Sequence, residues 1–99
     1  MSYLATYRAA QEDPAGFWLN KAQLIEWDVK PSLAVAKDDA GNERWFSDGT
    51  MNTCFNVLDR HVRDGRGQQA AIYYDSPVTG AKQCITYGYL LERVERAAG

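Results

Sequence analysis

Short apolar stretches alternate with turn-forming clusters along this chain, and the spacing of the apolar positions sets out the elements. Tyr3, Tyr7 and Ala10 recur at i, i+4 and i+7 behind a serine able to accept from the first free amides, which predicts a helix over Ser2–Glu12. Asp13-Pro14 supplies the next cap, with a proline at the first helical position where its missing N–H costs nothing. Phe17, Trp18, Lys21 and Leu24 carry helical spacing through a second helix, Pro14–Gln23. Leu24 to Trp27 then runs into extended backbone, because a residue preceding a proline such as Pro31 is pushed out of the helical region. Leu33–Phe46 reads as a β-hairpin whose polar loop, 38–42, holds a glycine suited to positive φ. After a turn at Asp48-Gly49, the residues Met51, Cys54, Phe55, Leu58 and Val62 mark one face of a helix over Asn52–Asp64. Ala70–Tyr87 is a second hairpin, and Tyr87–Ala98 a closing helix with Leu90, Leu91, Val94 and Ala97 on one side. The pattern predicts a small α+β fold of four helices and two short hairpins, with no repeat, linker or low-complexity tract.

Composition narrows what such a fold can do. At 99 residues, 45% hydrophobic and 12% aromatic, the chain can build a core but cannot hold the two large lobes of most nucleotide-using synthetases or kinases. A chain of this size hides roughly 65% of the surface it exposes when unfolded, so loss of a partner surface would be felt. Eleven basic and thirteen acidic residues give a net charge of -2 with no block of like charge, which argues against nucleic acid and anionic membrane as partners. No apolar run approaches the roughly 20 residues of a membrane span. The N-terminus lacks a basic and apolar leader, so the expected location is the cytoplasm. Cys54 and Cys84, without a CxxC and with a single histidine, lack the four ligands of a zinc site and read as reduced core residues, a disulfide or reactive thiol being the alternative.

The candidate chemistry is sparse. Gly65-Arg66-Gly67 is glycine-rich, but a phosphate cradle needs its glycines after a strand and opening a helix; here they close one, as a C-cap and turn would. His61 is a possible general base, yet Asp59 stands two positions away, pointing elsewhere on a helix, and no serine or cysteine is spaced to be activated; a structural histidine fits better. Asn52 and Asn56, four apart, would share a helical face and hold irregular backbone by hydrogen bonds, ligand contact being the alternative. Phe17, Trp18, Trp27, Trp45 and Phe46 form a large aromatic set, and aromatics burying 150–250 Å² each are hard for a small domain to hide completely. An exposed apolar patch often marks a docking surface, so the residues describe a docking module with no self-contained active site.

Several stretches resemble the N-terminal region of acetyl- and propionyl-CoA synthetases, AMP-forming acid–thiol ligases of the adenylate-forming superfamily. The resemblance runs through Asp13-Pro14 with Phe17-Trp18, through Trp27 and Arg44-Trp45-Phe46, and through Asn52, Asn56 and the run Leu58-Asp59-Arg60-His61. Tyr74-Asp75-Ser76-Pro77-Val78-Thr79-Gly80 is more similar to the propionyl than to the acetyl enzymes. The resemblance implies a cap domain over residues 1–83 and the start of an adenylation domain over 84–99, which makes the chain a truncated piece of a ligase. It further implies that Thr86 caps the last helix in a T-Y-x-E-L pattern, although Tyr89 stands where the glutamate of a capping box is expected. The family joins a carboxylate to ATP and passes the acyl group to CoA, using elements that lie outside this region. The expectation is therefore a non-catalytic piece. Its family-motif residues would be structural, with no catalytic, cofactor-binding or metal-binding residue of its own, and ATP, magnesium and CoA would be used by the larger ligase. Its expected partner is the adenylation domain. A stand-alone interaction module that binds another protein or itself is the alternative, and a small CoA- or nucleotide-binding protein resting on Arg60, Arg63 and Arg66 is a third.

Overall fold

The computed structural model describes residues 2–99 and resolves into two compact units, one ending at Asn52 and the other comprising Thr53–Gly99. In the first unit two helices follow each other directly. Helix α1, Tyr3–Glu12, starts where the Ser2 hydroxyl accepts the Ala5 N–H at 3.3 Å. Helix α2, Pro14–Ala22, starts where the Asp13 carboxylate accepts the Gly16 N–H at 3.0 Å, with Pro14 in the first turn. Each cap satisfies an amide that the helix cannot bond internally. The hairpin is shorter than its sequence pattern: strands β1, Val35–Lys37, and β2, Glu43–Trp45, pair antiparallel with Val35 opposite Trp45 and Lys37 opposite Glu43. Gly41 takes φ 82 in the connecting loop, as its turn requires.

Three contacts distant in sequence close this unit. Val29 and Thr50 form an isolated antiparallel bridge. The Asp48 carboxylate accepts both the backbone N–H of Ser32, at 2.9 Å, and the Ser32 hydroxyl. Phe46, directly after β2, adopts φ 49, a left-handed conformation uncommon for a bulky residue; its N–H donates to the Ala34 carbonyl at 2.8 Å and its carbonyl accepts from Gly49 at 2.9 Å. Ala22 and Ala34 are the buried apolar residues among the described residues of this unit.

The second unit begins with a helical segment, 53–66, and this is where the structure departs most from the 3.6-residue pattern. The segment starts one residue later than Asn52 and runs past Asp64. It winds largely as π-helix, over Phe55–Asp59 and again over Val62–Arg66. The Arg60 N–H accordingly reaches the Phe55 carbonyl, five residues back. A face drawn at α-helical spacing therefore does not close: Leu58 and Asn56 are buried, while Cys54 is exposed rather than part of a core. Gly65, at φ 88, kinks the second of these stretches, which is capped by Gly67. Strands β3, Ala70–Asp75, and β4, Lys82–Thr86, then pair antiparallel with an irregularity between Ala70 and Ile72. Cys84 lies on this hairpin, free and exposed, so neither cysteine is the core residue expected. The Thr86 hydroxyl accepts the Tyr89 N–H at 3.2 Å and opens helix α3, Tyr87–Ala98. Tyr89, in place of a capping-box glutamate, turns its hydroxyl to Arg93 instead. Helix α3 packs on β3, β4 and the π-helical segment, and the Gly88 N–H donates to the Gly67 carbonyl at 2.8 Å.

At Gly49 it is close approach, not a positive φ, that calls for glycine. A Cβ on Gly49 would stand 2.9 Å from the Trp27 ring and 3.2 Å from Pro31. Gly49→Ala is expected to destabilise the chain by about 1–3 kcal/mol through this overpacking, measured as a fall in the urea midpoint followed by tryptophan fluorescence.

Candidate functional site

The family-motif aromatics of the first unit are brought together as one row. Phe17 meets Trp18 edge-on at 5.1 Å between ring centroids, and Trp18 meets Trp45 at 5.9 Å and 84°. Trp45 and Phe46 are tilted at 5.8 Å, and Phe46 meets Trp27 at 5.7 Å and 61°. Edge-to-face contacts let the positive rim of one ring meet the negative face of the next. The left-handed turn at Phe46 matters here, since adjacent side chains of a regular strand would point to opposite faces and could not share a row. Trp27 is anchored at its polar end, its indole Nε1 donating to the Ala22 carbonyl at 2.7 Å. Trp18 and Trp45 remain 43% and 53% exposed, so the middle of the row is available as surface. Beside Trp27 an open cavity of about 660 Å³ is walled by Leu19, Ile25 and Pro31, with Lys30 on its lining.

Arg44, the polar member of Arg44-Trp45-Phe46, faces the hairpin loop. Its Nε donates to Asp38 Oδ2 at 2.9 Å, and the same carboxylate accepts the Ala40 and Asn42 N–H groups at 3.0 and 2.9 Å. The Asn42 N–H and then the Arg44 guanidinium hold the Asp38 carboxyl below its ordinary value of 3.8. Arg44 thus shapes the loop that delivers Trp45.

The second motif does not assemble as the α-helical spacing suggests. Asn52 lies before the helical segment, exposed, so it shares no helical face with the buried Asn56; both have polar or ring partners. Asn56 Oδ1 accepts from Arg60 Nη1 at 3.4 Å, and Leu58, two residues after Asn56, is buried as well. Asp59 does not orient His61. Instead His61 Nδ1 meets Arg66 Nη2 at 2.6 Å, five residues on and across the left-handed kink at Gly65. The imidazole also packs against the Tyr87 ring at 5.2 Å. The Ser32–Asp48 clasp and the Gly49 approach were not found by motif reading, and their only sequence signal was the turn at Asp48-Gly49. Among the described residues no group of three or more His, Cys, Asp or Glu is placed to hold a metal ion, and no helix is long and apolar enough to cross a membrane.

Two substitutions test these assignments. Trp27→Phe keeps a ring in the row but removes the bond to Ala22, and is expected to cost about 1 kcal/mol in denaturant unfolding. Asp38→Asn addresses acid sensitivity. A carboxyl whose value is lowered on folding stabilises the hairpin above the ordinary 3.8, and that contribution is lost as pH falls through the lowered value. Amide shifts of the 38–42 loop should therefore change with acid below that range in the wild type, with the change much reduced in Asp38→Asn.

Residues 3–57 match the family described as acetyl-coenzyme A synthetase N-terminus. The human mitochondrial acyl-CoA synthetase short-chain family member 3 is 38% identical over 97 residues, 98% of this chain and 14% of that protein. An acetyl-coenzyme A synthetase of Streptomyces coelicolor is 34% identical over 92 residues, 93% of this chain and 14% of the synthetase. An uncharacterized Pseudomonas aeruginosa protein is 38% identical over all 99 residues, which are 16% of its length. The chain thus spans 14–16% of the length of these relatives. With more than half its length matched, through α1, α2, the aromatic row and the first residues of the π-helical segment, the chain belongs to the acetyl-coenzyme A synthetase N-terminus family.

Proposed function

We propose that the chain works as the non-catalytic N-terminal cap of a short-chain acid–thiol ligase, which joins a carboxylate to ATP as an acyl-adenylate and then transfers the acyl group to CoA. The observation that carries this reading is the family match through the aromatic row, together with relatives named acyl-CoA and acetyl-CoA synthetases that are several times longer. The role of the cap is packing: Trp18 and Trp45, exposed in the middle of an otherwise anchored row, present apolar surface to the adenylation domain. Residues 1–83 form the cap, and 84–99, with α3, open the adenylation domain. Propionate is the preferred acid, on the similarity of the 74–80 stretch to propionyl enzymes, and the compartment is the cytoplasm, although the human relative's name places that protein in the mitochondrion.

ATP, magnesium and CoA belong to other parts of the ligase. The glycines at 65 and 67 close a helical segment instead of linking a strand to a helix N-terminus, so these residues do not fit a nucleotide-phosphate cradle and no step of the reaction is assigned to them. Trp18, Trp27, Arg44, Trp45 and Phe46 are scaffold on this reading, and so are Asn52, Asn56, Leu58, Asp59, Arg60 and His61.

A second reading, a stand-alone module that binds another protein or a second copy, draws on Tyr73 and Val78, 81% and 92% exposed in the second unit. One experiment separates the two. The Streptomyces coelicolor synthetase, lacking its matched segment, is mixed with this chain and with its Trp18→Ala/Trp45→Ala variant. The cap reading expects the chain to bind, the double variant to bind at least about tenfold more weakly, and the chain alone to form no acyl-adenylate from propionate and ATP. Adenylate formation by the isolated chain overturns the non-catalytic assignment. Absence of binding, with self-association in sedimentation, decides for the module.

A further inference from the structure

Helix α2 contributes to a second surface, one that the exposed rings of the aromatic row do not share. Trp18 and Trp45 lie outside the open cavity beside Trp27, whose lining takes Leu19, Asn20 and Gln23 from α2 and continues through Trp27 to Lys30 and Pro31. Two of its walls are held from behind. The Trp27 indole is tied to the Ala22 carbonyl, and Gly49 closes on both the Trp27 ring and Pro31. At about 660 Å³ the cleft falls within the range of ligand sites, roughly 300–1,000 Å³.

The polar groups of the cleft define what an occupant must carry. Lys30 is the charged residue of a lining that holds no carboxylate, and it makes no ion pair among the described residues. The side-chain amides of Asn20 and Gln23, three positions apart on α2, make no hydrogen bond among the described residues and face water. An occupant that displaces this water must replace its hydrogen bonds or lose binding. A phosphate or a short carboxylate reaches Lys30 but leaves the apolar walls wet. A fatty acid covers the walls and pairs with Lys30, yet offers nothing to two amides. An extended peptide satisfies all three requirements: backbone N–H and C=O groups for the amides, an apolar side chain for the walls and a carboxylate for Lys30.

We propose that this cleft is a docking groove for an extended segment of a partner protein, with an acidic residue within two positions of a large apolar one. The groove goes beyond the cap reading and stands whether or not the chain caps a ligase, because Trp18 and Trp45 take no part in it.

The probe is an end-capped hexapeptide, Ala-Leu-Ala-Glu-Leu-Ala, added to the full chain at constant ionic strength. The Trp27 indole N–H and the Asn20 and Gln23 side-chain amides are followed by NMR, and a saturable shift of all three is expected. The same peptide with lysine in place of glutamate should bind at least about tenfold more weakly, since two ammonium groups then meet. Lys30→Glu, a change at an exposed side chain, should reverse that order of preference, and Lys37→Glu on β1 should leave it as it is. Asn20→Ala/Gln23→Ala should weaken the glutamate peptide at least about threefold. Octanoate tests the fatty-acid alternative: binding weaker than that of the hexapeptide supports the groove, and equal or tighter binding overturns it. Absence of a saturable shift, or an unchanged order of preference in Lys30→Glu, overturns it as well.

Discussion

The left-handed turn at Phe46 is the constraint on which the first unit depends. A bulky side chain at φ 49 is strained by about 1 kcal/mol or more, and the strain persists because everything around it converges there. The Ala34 carbonyl and the Gly49 amide hold the backbone on both sides. Trp27 and Trp45 hold the ring. What the turn accomplishes is geometric: it puts consecutive aromatic residues into one row instead of on opposite faces, and so connects a helix to a hairpin through side chains alone. Gly49 belongs to the same arrangement, because only a residue without Cβ lets the chain return close enough to Trp27.

Parts of this were legible in the residues and parts were not, and the division follows sequence distance. The caps at Ser2, Asp13 and Thr86 depend on a hydroxyl or carboxylate and an amide three residues away, so reading the chain locally finds them. The hairpins are legible for the same reason, although the first is only three residues on each side. The Ser32–Asp48 clasp spans sixteen residues and has no local signature. The aromatic residues could be named as a set, but their order in the row could not, because it is decided by a backbone angle that aromatic residues seldom adopt. Arg44 was legible as a motif member and illegible as what it is, the clamp on the Asp38 loop.

The π-helical segment shows the opposite failure, in which a strong pattern was present and its period misled. Spacing of 3.6 residues assigned Cys54 to the core and put Asn52 beside Asn56. With hydrogen bonds reaching five residues back, Asn56 is buried and Cys54 is exposed, and across the kink at Gly65 His61 finds Arg66. Family membership had a different basis again. It rests on an ordered combination of residues that no argument from burial or periodicity would assemble, and the matched region ends at residue 57, within the first π turn.

The same winding bears on how the segment tolerates changes in length. An α-helix that gains or loses one residue rotates everything beyond it by about 100°, which usually exposes the core face. A segment already wound with five-residue closures can lose one residue by tightening a single turn, and the elements that follow it within the second unit keep their pairing with it. The stretch between Asn52 and Gly67 is therefore a length buffer. Single-residue gaps there, in an alignment of related chains, would mark a change of winding and not a change of fold.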